Sequence, residues 1–258
     1  MNILIMEVVM KRLFVWIVLA ISMVGAQAQT LVVSAATSLT NAFTEVGALF
    51  ETQNPGIAIR FNFAASGTLL QQISQGAPAD VLATADANSM NRAQNAKLIE
   101  VTTRINFVEN QLVLITPARS NLHLTSLDDL NKSHINRIAL GNPNNVPAGL
   151  YAKKILESSQ LWQRLAPKLI MAQNVRQATL YVSQNEVDAG FVFLTDANAA
   201  GKAVKVAFVV NTPDTIAYPV ARVTGSTQPE IAQNFIDFLK SDAAQSIFTR
   251  HGFRSVTQ

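Results

Sequence analysis

Two rhythms of apolar residues alternate along the chain beyond residue 30. Leu31-Val32-Val33 reads as a short buried strand, and Leu39, Ala42, Phe43, Val46, Leu49 and Phe50 then recur at the spacing of an amphipathic helix. Asn54-Pro55-Gly56 ends that helix, and Ile57 to Phe63 alternates as the next strand. A further helix opens at Leu69, Gly76-Ala77-Pro78 breaks it, and Val81-Leu82-Ala83 returns as a strand. From Asn110 a second block predicts strands over 112–115, 137–140 and 189–193. Its helices are expected near 127–130, from Ala148 and over 175–182. Two helices close the chain, 228–239 and 242–250, the second capped by Gly252.

This alternation predicts an α/β fold with largely parallel sheets. No repeat, low-complexity tract or linker interrupts it. The blocks fit two lobes joined twice by strands: residues 29–109 plus 222–258 form the first and 110–221 the second. Crossings are expected near 107–111 and 217–222.

The N-terminus adds a compartment. Lys11 and Arg12 precede an apolar run from Leu13 to Val24, and Ala26-Gln27-Ala28 forms a small-residue cleavage site, so residues 1–28 read as a secretory signal peptide. That run is well short of the roughly 20 residues a membrane span needs. The mature chain, from Gln29, is expected in the periplasm. It holds no cysteine, which excludes a disulfide framework, a thiolate metal site, a cysteine nucleophile and a lipid-anchored cysteine. Its 18 basic and 16 acidic residues leave a net charge of +2, and Lys153-Lys154 is the one adjacent basic pair. Nucleic-acid binding is therefore not expected, whereas mild positive charge suits an anion.

Candidate chemistry lies where strands end in small residues. Ala35-Ala36-Thr37-Ser38-Leu39 passes from strand to helix, with Ser38 placed either to cap its own helix or to donate to a ligand at the carboxyl edge of the sheet. Ala64-Ala65-Ser66-Gly67-Thr68 repeats the pattern after the neighbouring strand, and Gly67 admits a close backbone approach. In the second block Pro147 suits a first helical turn, which leaves the N–H groups of Ala148 and Gly149 free, and Asn174-Val175-Arg176 opens another helix.

These segments carry a family resemblance. AATSLTNAF, FAASGTL, GAPADVLATAD, VPAGLYAKK, NVRQA, DAGFVF followed by TDA, YPVARV and IFTRHGF resemble, in order and over nearly the whole mature chain, the periplasmic molybdate-binding proteins of molybdate ABC transporters. The resemblance implies an α/β type II periplasmic-binding-protein fold, two mixed or parallel sheets flanked by helices with the ligand in the cleft between the lobes. It implies molybdate or tungstate as ligand, a membrane permease as partner, a monomer, and no cofactor. Ligand contacts carry over onto Ser38 and Ser66, side chain and backbone, and onto the backbone N–H of Ala148 and Val175. Phe193 departs from the family, which has a tyrosine hydroxyl there; its own residue type fits a pocket wall or plain core.

Molybdate is a dianion without a proton to give, so its site should consist of donors. Sulfate, phosphate or chromate is the alternative ligand. Catalysis is not expected: His123, His134 and His251 lack metal-ligand spacing and no nucleophile elbow occurs. Asp80 and Asp86 flank the 81–83 strand and are expected to cap or terminate it.

Overall fold

The computed structural model describes residues 29–256. The signal peptide read over residues 1–28 lies outside the described residues. Strands are β1 (Gln29–Ala36), β2 (Ile57–Ala64), β3 (Val81–Ala83), β4 (Ile105–Asn110), β5 (Leu112–Pro117), β6 (Ile138–Gly141), β7 (Leu169–Ala172), β8 (Ala189–Phe193), β9 (Val204–Val209), β10 (Ile216–Arg222) and β11 (Arg254–Ser255). Helices are α1 (Thr40–Gln53), α2 (Ser66–Ser74), α3 (Ala87–Asn95), α4 (Pro147–Ser158), α5 (Trp162–Leu165), α6 (Val175–Ser183), α7 (Leu194–Ala200), α8 (Pro229–Phe238) and α9 (Asp242–Arg250). Among the described residues, no helix is long and apolar enough to cross a membrane.

Two sheets result, six strands in the order β11-β4-β10-β3-β1-β2 and five in the order β7-β6-β8-β5-β9. Both sheets are mixed, within what the resemblance implied, and less parallel than the alternation alone suggested. β1 pairs in parallel with β2 and β3, and β6 with β7 and β8, because helices connect them, whereas β4, β5, β9, β10 and β11 pair antiparallel. The expected lobe boundaries also shift. β4 carries Asn110 into the six-stranded sheet, and all of β10 pairs there with β3 and β4. The second crossing therefore falls in residues 210–215, ahead of the expected 217–222, and the first falls at Gln111. Apolar periodicity locates strands but carries no information about which sheet receives them.

The elements follow their sequences closely. α1 buries Ala42, Phe43, Val46 and Phe50, one face at helical spacing. Pro147 occupies the first turn of α4, and Asn174 caps α6 by accepting the Gln177 N–H at 2.9 Å. Gly252 ends α9 with φ +91°, where a side chain would strain the backbone. Of two apolar clusters among the described residues, the larger runs through both sheets and the smaller gathers Leu69, Leu82 and Met90. Within the larger, the Phe43 ring meets those of Phe61, Phe107, Phe235 and Phe248 at 5.7–6.0 Å. The lobes thus share a core along their crossings, and what separates them is the cleft edge.

Candidate functional site

β1 and β2 run parallel with Ala36 paired to Ala64, so Ser38 and Ser66 each stand two residues beyond the same level of the sheet. Their local structures differ. Ser66 is the first residue of α2, which begins three residues before the expected Leu69, and it is fully buried. Ser38 does not cap a helix: Thr37–Leu39 forms a 3₁₀ turn leading into α1, and neither the turn nor the helix has a side-chain cap. The Ser38 hydroxyl is free for a tertiary bond and lies 2.9 Å from Tyr218 Oη.

Across the cleft, Ala148 follows Pro147 in the first turn of α4 and is fully buried. Val175 opens α6, with 4% of its surface exposed. Two of the contacts between the lobes pair these residues. The Gly67 N–H donates to Asn145 O at 3.0 Å, bringing the start of α2 against the loop that precedes α4. The turn holding Ser38 packs against α6, and Arg176 Nη2 donates to Asn41 Oδ1 at 2.6 Å. Four chain segments whose leading N–H groups lack helical partners therefore meet from two sheets, the arrangement that suits an anion.

A cavity of about 250 Å³ opens beside this junction. Ser38 lines it from the first sheet, and Arg176 and Thr195 from the second. Ser66, Ala148 and Val175 are buried and are not among the residues that line it. Phe193, at the end of β8, is 1% exposed and packs edge-on against Tyr218 at 5.8 Å.

Tyr218, Asn110 and Thr195 are not among the expected site residues, and the structure links all three to Ser38. Asn110 Nδ2 donates to Tyr218 Oη at 3.0 Å and to Thr195 Oγ1 at 2.9 Å. A register shift between Tyr218 and Pro219 interrupts the β10–β4 ladder at this point, where proline has no N–H to contribute. The Ser66 hydroxyl oxygen accepts the Ala85 N–H at 3.0 Å. Contacts spanning 108 and 180 residues leave no local signature, although Tyr218 lies in YPVARV, one of the segments that carry the resemblance.

Three buried side-chain atoms have no hydrogen-bond partner among the described residues: Thr37 Oγ1, Asp86 Oδ2 and Asp196 Oδ2. Asp86 caps α3 through its other oxygen, which accepts the Ser89 N–H at 2.7 Å, and burial raises its carboxyl above the ordinary range. Asp80 has a different role, accepting the Val32 N–H and bonds from the 226–228 segment. Asp196 is pushed up to about 7 by burial, against the opposing pull of Arg176. A raised carboxyl pKa in the folded state favours folding fully below its unfolded value, and that contribution is lost as pH rises through about 7. Between about pH 6 and 8 the protein should lose about 1 kcal/mol. That corresponds to roughly 2–4 °C in Tm. Thermal unfolding of Asp196→Asn should lack this decline; an equal decline in the variant would assign it to other groups.

The described residues contain no cluster of His, Asp or Glu able to hold a metal ion. The chain matches the family model for bacterial extracellular solute-binding proteins over residues 31–254. It is 39% identical over 227 residues to the molybdate-binding protein ModA of Escherichia coli, covering 86% of this chain and 87% of that protein. It is 35% identical over 225 residues to a putative ABC transporter substrate-binding lipoprotein of Bacillus subtilis, covering 87% and 86%. Among solved structures, the substrate-binding domain of a putative molybdenum ABC transporter from Clostridium difficile superposes with a TM-score of 0.68 at 33% identity, covering 88% of this chain and 99% of that one.

Proposed function

The chain belongs to the bacterial extracellular solute-binding proteins, and from that membership we propose that it captures molybdate between its two sheets and delivers it to an ABC transporter. Relatives bearing the molybdate-binding name at 39% and 33% identity support the ligand. The observation that carries the reading in this chain is the approach of four donor-rich segments from two sheets, two of them joined by the Gly67–Asn145 bond and two by the Arg176–Asn41 bond. Tungstate, with the same shape and charge, is the second ligand of the same site.

Ser38, Ser66 and the N–H groups of Ala148 and Val175 are the proposed contacts, with Phe193 in the wall where it supports Tyr218. Each hydrogen bond to a charged group contributes about 1.5–3 kcal/mol. Six such bonds give about 9–18 kcal/mol, a range that brackets the roughly 11 kcal/mol of tens-of-nanomolar affinity and at its upper end leaves room for desolvation and closure. A receptor of this kind needs no catalytic group or cofactor, acts as a monomer in the periplasm, and has a membrane permease as its partner.

Isothermal titration against molybdate, tungstate, sulfate and phosphate tests the reading. Molybdate and tungstate should bind far more tightly than the others; a protein that ignores molybdate but takes another anion overturns it. Ser38→Ala and Ser66→Ala should each weaken molybdate binding about ten- to a hundredfold. Unchanged affinity in both variants would move the site elsewhere.

A further inference from the structure

Counting donors assigns a direction to the hydroxyl protons of Tyr218, Ser38 and Thr195 at the cleft. The Gln111 N–H donates to Asn110 Oδ1 at 2.8 Å, which identifies the oxygen end of that amide. The other end, Nδ2, can only donate, and it reaches Tyr218 Oη at 3.0 Å and Thr195 Oγ1 at 2.9 Å. Tyr218 Oη therefore accepts from Asn110; Ser38 Oγ, at 2.9 Å, is the one other hydrogen-bond partner it has among the described residues, so its buried proton is assigned to Ser38. Ser38 in turn accepts, so its proton turns away from Tyr218 toward the cavity it lines. Thr195, on the same cavity, has its oxygen engaged by Asn110 and its proton free as well. Burial holds the Tyr218 hydroxyl well above its ordinary pKa, so the proton this chain requires stays in place.

We propose that Asn110 is a positioning residue which, acting through Tyr218, makes the cleft hydroxyls of Ser38 and Thr195 obligate donors and so selects oxyanions that carry no proton. The proposal rests on the oxyanion-binding reading and adds the group that sets its selectivity. Asn110 suits the task by location: it ends β4 on the six-stranded sheet yet bonds Thr195 in α7 on the other, so the chain of donors is complete only when both lobes are seated. An anion bearing an O–H has to share oxygens that already accept from Tyr218 and Asn110 and whose protons point at the anion, so its own proton is poorly paired.

Molybdate and monohydrogen phosphate test this directly, because at mildly alkaline pH both are dianions and only phosphate retains an O–H. Asn110→Asp keeps the shape and the bond from Gln111 but replaces the donor with an acceptor. Tyr218 then donates to the new carboxylate, Ser38 donates to Tyr218, and the Ser38 lone pairs face the cleft. The added charge weakens both dianions alike and cancels in their ratio. Tyr218→Phe keeps the ring packing against Phe193 and Phe253 and releases Ser38 to accept.

Affinity is measured by titration with molybdate and by competition of millimolar phosphate against it, with thermal unfolding of each ligand-free variant as the fold control. The ratio of molybdate to phosphate affinity should fall at least about tenfold in both variants, with phosphate becoming a measurable competitor. If Asn110→Asp fails to fold, Tyr218→Phe carries the comparison. A ratio unchanged from wild type, or phosphate that competes no better in the folded variants, overturns the role of Asn110. Wild-type protein that binds no molybdate would instead overturn the functional reading on which it rests.

Discussion

Gly67→Ala is expected to weaken molybdate binding about a hundredfold while the ligand-free protein unfolds at nearly its original temperature. Alanine is a better helix former than glycine, so α2 itself loses nothing. The obstacle is the opposite lobe: a Cβ at residue 67 would stand 2.8 Å from Asn145 Cα and 3.0 Å from its carbonyl oxygen. Those are backbone atoms, and no side-chain rotation relieves the contact. The two loops must part, breaking the Gly67–Asn145 bond and drawing the start of α4 away from Ser66. Loss of two charge-assisted bonds at about 1.5 kcal/mol each corresponds to roughly a hundredfold in Kd. Titration paired with a melting curve decides the matter. Wild-type affinity in the variant would mean that the liganded cleft does not bring these loops together.

Gly149→Ala should act on stability first. Its Cβ would lie 1.7 Å from the Gly141 carbonyl oxygen, so the first turn of α4 and the end of β6 cannot both keep their places. Overpacking with movable neighbours costs about 1–3 kcal/mol, and this contact is with backbone, so about 3 kcal/mol or more is expected. In a domain of this size that lowers Tm by roughly 10 °C. The shift would also carry the Ala148 N–H out of line. A variant melting within a few degrees of wild type would show that α4 can pivot without loss, and the same preparation would then reveal whether affinity survives.

Much of the architecture is legible because it is local. The apolar face from Leu39 to Phe50 locates α1, and the final helix is read to the residue, Asp242 to Arg250. The paired strand-to-helix passages at Ser38 and Ser66 are legible because small residues after an apolar strand allow the turn and the approach that a ligand needs. What stays hidden depends on distance in sequence. Ser38 reads equally well as a cap because a 3₁₀ turn and an α-helix start with the same residue types, yet its hydroxyl is claimed by a tyrosine 180 residues away. Asn110 stands at an expected crossing with nothing to mark its amide as the source of two hydrogen bonds. Arg176 likewise reads as one residue in a helix start; only the fold reveals that it reaches Asn41 across the cleft.

The order β11-β4-β10-β3-β1-β2 has a consequence for the birth of the molecule. A ribosome completes β1, β2 and β3 within the first third of the chain, but β3 meets its second neighbour only when residues 216–222 have been made, and β4 gains β11 only at 254–255. Until then the growing sheet has an open edge, and its central strands are separated from their partners by more than a hundred residues of intervening polypeptide. Such long loops close slowly. A chain that settles late remains threadable for most of its synthesis, a useful trait in a family of extracellular proteins, but in that interval it depends on whatever shields an unpaired strand from its neighbours.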